Sequence, residues 1–290
     1  MKSRRGALIA FMASCAISSA AHADEQYFGH TYSAEVLGKG ATEAEFWATD
    51  RRGKDSGHFD AQDYRIELEH GFTNRLSVSG YANFAGHHIR GLEPGFENTD
   101  RTLAFRGLSS EFKYNVLSPY KDGIGLTLYA EPAWSRIHAG GEKGTELELE
   151  LKAILQKNFL DDRLIWAANF TFEPEWEKEK DISPITGDAE TKWAKELKLE
   201  VSTGLTYRVA RGWYAGVEGR YASVYPNWTN GLHRETYAVF AGPTIHYGGK
   251  NWWATLSYLP QLFGKPSPNG SLALDEYEKR ELRLKIGYNF

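Results

Sequence analysis

The chain has almost no sulfur chemistry, no long apolar run and no excess of positive charge. Of its 290 residues, one is cysteine and two are methionine. That cysteine, Cys15, lies in a leader-like stretch, so the rest of the chain excludes disulfides, cysteine nucleophiles and thiolate metal sites. A membrane-crossing helix needs roughly 20 consecutive apolar residues. The mean hydropathy is -0.51, and the one long apolar run, residues 6–21, is interrupted by serines, which excludes a helical membrane protein. Lys and Arg number 34 against 38 Asp and Glu, a formal charge of -4, which argues against a nucleic-acid partner. Linkers, low-complexity tracts and exact repeats are also missing. The length then suits one large domain or two small ones.

Lys2, Arg4 and Arg5, the apolar stretch from Gly6 and the small-residue site Ala21-His22-Ala23 predict a secretory signal peptide over residues 1–23, cleaved before Asp24. Met12-Ala13-Ser14-Cys15 offers a weaker lipoprotein reading, because the apolar region continues past Cys15. Loss of the leader removes three positive charges and takes the formal charge from -4 to -7. The protein is expected to be exported.

What the sequence does contain is alternation. In residues 63–70, Tyr64, Ile66 and Leu68 interleave with Arg65, Glu67 and Glu69, a period of two that a helix would scatter around its circumference. In residues 145–152, Leu147, Leu149 and Leu151 oppose Glu146, Glu148 and Glu150. Residues 196–208 repeat the pattern. About twelve such strands are predicted, near 41–51, 61–71, 75–87, 103–117, 124–137, 145–158, 163–176, 193–208, 213–226, 234–247, 251–263 and 280–290. Short turns at 72–74, 160–162, 210–212 and 248–250 alternate with long polar segments at 88–102, 177–192 and 264–279, read as solvated outer loops. Such inequality of rims describes an all-β, antiparallel transmembrane barrel.

A soluble sandwich or barrel also alternates, but twelve strands closed around leucine and aromatics alone would leave a wide apolar interior to fill. A membrane barrel reverses the faces, apolar to lipid and polar inside. Trp134, Trp176, Trp193, Trp213, Tyr214, Tyr225, Trp228, Trp252 and Trp253 near strand ends fit interfacial girdles. The last strand places Leu282, Leu284, Ile286, Tyr288 and Phe290 on one face. This resembles the C-terminal assembly signal of Gram-negative outer-membrane proteins, which implies outer-membrane lipid and the barrel-assembly machinery as partners.

Near the start, Glu35-Val36-Leu37-Gly38-Lys39-Gly40, Glu43-Ala44-Glu45-Phe46-Trp47 and Glu67-Leu68-Glu69-His70-Gly71-Phe72-Thr73-Asn74-Arg75-Leu76 resemble the opening of a family of uncharacterised proteobacterial outer-membrane barrels. In that family the first periplasmic turn follows a strand ending Glu-Tyr-Gly-Leu-Thr-Asp-Arg-Leu; His70, Phe72 and Asn74 depart from it conservatively. The resemblance covers roughly the first fifty residues after the leader. It implies location and fold, and no activity.

Strand parity predicts which charges face inward and line a pore: Arg65, Glu67, Glu69, Glu111, Lys113, Glu131, Glu146, Glu148, Glu150, Lys152, Lys198, Glu200, Glu218, Arg220, Arg283 and Lys285, with Glu173, Arg208 and Glu281 on the same parity. Both signs are present, so the set reads either as a water-filled lumen that passes small polar solutes with a cation preference, or as a mutually neutralised filling with a structural role. An outer-membrane lipid-modifying hydrolase is a further alternative, and needs a constellation. Ser135 and His138, or His87 and His88, lie near one rim, but spacing assigns them no acidic partner. Adjacent histidines point to opposite faces, and Asp161-Asp162 suits a turn. No catalytic set, metal site or cofactor motif is expected. Residues 24–40 do not fit the strand count, since a thirteenth strand would put the chain ends on opposite sides. They are expected at the periplasmic mouth or in the lumen, where Glu35 and Lys39 meet interior charges, with the barrel over 41–290.

Overall fold

The computed structural model describes residues 26–92, 98–182, 189–267 and 270–290. The expected signal peptide, residues 1–23, lies outside the described residues. Twelve strands follow one another as β1 (Thr42–Arg52), β2 (His58–Gly71), β3 (Leu76–Arg90), β4 (Thr99–Leu117), β5 (Gly125–Ile137), β6 (Lys143–Phe159), β7 (Leu164–Ile182), β8 (Ala189–Ala210), β9 (Trp213–Pro226), β10 (Thr236–Gly248), β11 (Trp252–Gly264) and β12 (Arg280–Asn289). Each pairs antiparallel with its chain neighbours, and β1 pairs with β12 to close the barrel. Closure answers the bilayer's demand that every backbone N–H and C=O be satisfied without water.

The faces are reversed relative to a soluble protein. Phe46, Ile66, Leu68, Leu108, Phe112, Leu128, Leu147 and Leu151 are exposed on the outside, while Glu45, Glu67, Glu69, Glu111 and Lys113 are buried within. The connections at 72–75, 118–124, 160–163, 211–212 and 249–251 share one rim with the chain's last residue; those of the other rim, from 53–57 to 265–279, are longer on average. The short-turn rim of an outer-membrane barrel is periplasmic. At the seam Ala44, Phe46, Ala48 and Asp50 face Tyr288, Ile286, Leu284 and Leu282, and Leu282, Ile286, Tyr288 and Phe290 are exposed outward.

Three expectations change. The hairpins at 88–102 and 177–192 are shorter than the polar sequence suggests, because β3, β4, β7 and β8 continue pairing to Ile89↔Thr99 and Ile182↔Ala189. Strands that run past the bilayer have water on both sides, so alternation fades while the backbone ladder continues. The 264–279 segment is no solvated loop either. Ala273 and Leu274 are buried, and Ala273 packs with Ala238, Phe240 and Leu259. Finally, Tyr214 and Trp253 do not belong to a girdle. Trp213 and Trp252 are exposed, so their strand neighbours necessarily turn inward.

Candidate functional site

The lumen is organised around residues 26–40, an arch whose two legs start at the short-turn rim. One leg begins where Gly40 N donates to Gly71 O at 2.7 Å; the other ends where Thr255 Oγ1 on β11 donates to Gln26 O. The apex is His30, whose Nε2 lies 3.2 Å from Glu281, the second residue of β12 and near the outer rim. A chain without a ladder must satisfy its backbone otherwise, and here the barrel wall does so with side chains. Glu218 accepts from Gly29 N at 3.0 Å, His30 N at 2.7 Å and Thr31 N at 2.5 Å. Asn169 accepts from Tyr32 N and donates to Tyr32 O, at 2.6 and 3.0 Å. Gln156 accepts from Ala34 N at 2.8 Å, and Asn115 donates to Ala34 O at 2.8 Å. Arg283 donates to Gly29 O at 3.2 Å. Tyr27 and Phe28 pack with Ile165, Ala167 and Tyr214; Tyr32 and Ala34 pack with Trp47, Tyr129 and Ile154. Glu35 accepts from Tyr120 Oη at 2.8 Å and Gln156 Nε2 at 2.9 Å, whereas Lys39 contributes its backbone N–H to Asn74.

The charged positions named from parity all sit on the luminal face, in layers. Nearest the short-turn rim, Glu67, Glu69 and Glu111 surround Lys113, whose Nζ is 3.0 Å from Glu69 and 3.3 Å from Glu111. Glu43 and Glu45 adjoin them, accepting from the indoles of Trp253 at 3.1 Å and Trp47 at 2.6 Å. At mid-height, Arg65 pairs with Glu131 and lies over Tyr81, 4.0 Å from the ring centroid. Lys152 pairs with Glu150 and faces the Tyr32 ring at 4.4 Å. Lys285 Nζ is 3.8 Å from the Trp47 ring. These aromatic faces stabilise cations already out of bulk water.

Toward the outer rim a second lattice forms. Arg51 bonds Asp63 at 2.7 Å; Arg106 reaches Asp63 at 3.3 Å, Glu146 at 3.6 Å and Glu148 at 3.9 Å. Lys198 meets Glu175 at 2.6 Å, and Arg220 meets Glu200 at 2.9 Å and also pairs with Glu281. Arg220 and Arg51 both reach Glu278 of the 265–279 segment, at 3.7 and 3.8 Å, which draws that segment over the mouth. Arg208 lies at the short-turn rim instead, donating to Asp161 O. Between the arch and the outer rim lies a cavity of about 270 Å³, lined by Trp47, Arg65, Arg106, Glu131, Glu148, Glu150, Glu173 and Arg283 among others.

Several contributors escaped the parity reading. Arg106 is the extra residue of a bulge: Asn83 faces Gly107 and Phe84 faces Phe105, so Arg106 has no partner and is re-aimed inward. Arg51, Asp63, Glu43 and Glu45 were legible from parity on β1 and β2. Asn115, Gln156 and Asn169 lie on luminal parity too, but they carry no charge to single them out.

At the outer rim the hydrolase alternative gains no dyad. His138 Nδ1 faces Glu177 and, at 3.8 Å, Glu146, while no hydrogen bond joins Ser135 to His138 among the described residues. His87 is buried inward near Ala139 O and His88 points outward to Asp100 at 2.9 Å. Asp161 and Asp162 have left-handed φ of 53° and 59° in the β6–β7 turn. Donor atoms within 4.8 Å of one another occur in His138/Glu146/Glu177, Glu43/Glu45/Glu69, Glu67/Glu69/Glu111 and Glu148/Glu173/Glu175. Lys113, Arg106 and Lys198 already supply positive charge to all four of these groups.

A model described as a family of unknown function (DUF6662) matches residues 20–290. No curated protein matches the sequence. Among solved structures, the COG4313 outer membrane channel from Pseudomonas putida F1 aligns with a TM-score of 0.55 at 15% identity, covering 88% of this chain and 97% of that one. The beta domain of the Bordetella autotransporter BrkA aligns with a TM-score of 0.51 at 15% identity, covering 86% and 100%. The NanC porin gives 0.45 at 12% identity, covering 85% and 100%. The first two show the fold, a twelve-stranded outer-membrane β-barrel.

Proposed function

From the premise that the chain belongs to the DUF6662 family, we propose that it is an outer-membrane channel for small polar solutes, held shut at its periplasmic half by residues 26–40. The observation that carries this reading is the charged cavity of about 270 Å³ above the arch. The arch itself is fastened by side chains rather than by a ladder, so it can leave without breaking a strand. Acidic side chains outnumber basic ones on the wall from β5 to β7, which favours cations by local field. A filled barrel with a structural role is the competing reading, and the arch packed across the lumen favours it.

Planar-bilayer recording of the full chain separates the two. A gated channel gives discrete openings whose reversal potential in a salt gradient lies on the cation side. Silence of the full chain and of variants that loosen the arch overturns the channel reading.

A further inference from the structure

Along the seam between β1 and β12 the outward face changes character over a single strand position. Leu282 on β12 and Tyr258, its cross-strand neighbour on β11, are exposed in the apolar belt. The next outward positions toward the outer rim are Arg280 on β12 and Arg52 on β1, which stand directly opposite each other in the ladder. That step from apolar to charged side chains marks the depth of the outer-leaflet headgroups. Like charges placed opposite destabilise a sheet, and the two arginines differ in how they are answered. Arg52 holds the aspartates of this surface, its Nε 2.7 Å from Asp50 and its Nη2 3.7 Å from Asp60. Arg280 and Lys279 have no acidic partner among the described residues. The Lys279 backbone N–H donates to Arg52 O at 3.1 Å and Gly53 O at 2.9 Å, and its side chain lies over Gly53, where a Cβ would come within 3.1 Å of Lys279 Cδ. Two clefts meet at the arginine pair. The upper, of about 330 Å³, is lined by Arg52, His58, Asp60, Lys279 and Arg280 among others; the lower, of about 340 Å³, by Asp50, Arg52, Tyr258, Arg280 and Leu282. Since both aspartates are bonded to Arg52, the charge left over is positive and sits on Arg280 and Lys279.

We propose that this surface binds a phosphate group of the outer-leaflet glycolipid, a phosphorylated and multiply acylated glucosamine, with Arg280 and Lys279 on the phosphate and one acyl chain in the lower cleft. The inference does not depend on whether the lumen conducts. A guanidinium donates two parallel hydrogen bonds to two phosphate oxygens, and an ammonium adds a point charge at a third. The bound anion also lies beside Arg52 and offsets the repulsion between the opposed arginines. Leu282 and Tyr258 carry the apolar part of the same molecule down the wall, a fit that a free phosphate leaves unused. A zwitterionic headgroup brings an ammonium of its own to a surface already in cationic excess. Such a lipid covers the outer ends of β1 and β12, the pair that closes the barrel.

The test is native mass spectrometry of the full chain refolded in an uncharged detergent, with EDTA present so that no divalent cation bridges lipid to Asp50 or Asp60. The probes are bisphosphorylated lipid A, the same lipid with its phosphates removed, and phosphatidylglycerol, with inorganic phosphate as competitor. Bisphosphorylated lipid A should bind at least about fivefold tighter than the other two lipids, each free cation contributing roughly that factor, and inorganic phosphate should not displace it. Arg280→Gln combined with Lys279→Gln should abolish the preference, while Arg280→Lys with Lys279→Arg, which keeps both charges, should retain much of it. Arg136→Gln, at an exposed arginine near the outer end of β5, controls for the general charge of the rim and should leave the preference unchanged. Heat-modifiable migration reports that each variant has folded. Equal binding of lipid A with and without phosphate, equal binding of phosphatidylglycerol, displacement by inorganic phosphate, or the same loss from Arg136→Gln as from the double substitution overturns the proposal. Thermal unfolding gives a second readout. Without lipid, Arg280→Gln should unfold no earlier than the parent, because one of two opposed charges is gone, whereas saturating lipid A should raise the parent's midpoint and leave that of the double variant in place. A double variant raised as far as the parent overturns the proposal.

Discussion

Phe28 lies flat where Gly204 of β8 carries no side chain: a methyl group built on Gly204 would overlap the Phe28 ring. Phe28 is fully buried, and its neighbours Ile165 and Ala167 belong to β7. The absent Cβ is thus the seat of the arch's largest buried apolar side chain.

Removing either half of that fit should loosen the arch. Phe28→Ala deletes a buried ring, a change that costs about 3–5 kcal/mol in packed cores, and Gly204→Val pushes the ring out while leaving the arch sequence intact. Both variants should raise the open fraction in bilayer recordings by at least about tenfold, the equivalent of 1.4 kcal/mol. Unchanged open fractions in both would show that Phe28 does not hold the arch.

Glu218 should matter as an acceptor rather than as a charge. Glu218→Ala strips the His30 and Thr31 N–H groups of their partner, at about 1–3 kcal/mol for each donor left unsatisfied, while Gly29 N keeps Ser257 Oγ at 3.0 Å. Glu218→Gln keeps one acceptor oxygen. Amide hydrogen exchange at His30 and Thr31 should accelerate strongly in the alanine variant and modestly in the glutamine one. Equal exchange in the two would assign the effect to charge.

Tyr288 and Phe290 lie on the lipid face of the closing strand, with ring centroids 5.3 Å apart, and Phe290 N donates to Thr42 O at 3.0 Å. Changing both to Ala should reduce the heat-modifiable, membrane-inserted form several-fold. Deletion within residues 230–233, all exposed, should leave it nearly unchanged. The 265–279 segment is an unsuitable control because part of it is buried. Equal losses from the two changes would argue against a terminal assembly signal.

Glu278 gives the segment over the mouth a pH limit. Burial pushes its carboxyl up, but a hydrogen bond from Glu281 and the charges of Arg51, Arg220 and Lys54 more than reverse this and hold it below the ordinary carboxylate range. A depressed carboxylate contributes stability that is present above the unfolded value and lost as pH falls through the folded one. Hydrogen exchange over residues 265–279, corrected for intrinsic rates, should therefore stay slow from neutral pH down through the ordinary carboxylate range and quicken only below it. Glu278→Gln should remove that acid transition. A transition unchanged by the substitution would place the anchor elsewhere.

The barrel was legible because alternation and unequal rims are imposed by a two-sided wall, residue by residue along β2, β6 and β8. The luminal side of Glu67, Glu148 or Lys198 follows from the same parity. Arg106 was not legible, because a single inserted residue reverses parity and leaves no compositional mark. Tyr214 and Trp253 look like girdle residues by type, and only pairing with Trp213 and Trp252 shows that one of each pair turns inward. The arch's path was the least readable part. Its backbone is held by Glu218, Asn169 and Gln156, which lie more than a hundred residues away in the chain, and no local pattern encodes such contacts.

Because both legs of the arch descend to the same rim, its fastening is mechanically directional. A pull from the periplasmic side on the Gln26 leg loads Thr255 first, then Thr244 at Tyr27 O, then Glu218, and each releases before the next is strained, as in peeling. Pressure from the outer mouth bears on the apex and meets the anchors of both legs together. The barrel therefore resists force from outside far better than it resists traction from within.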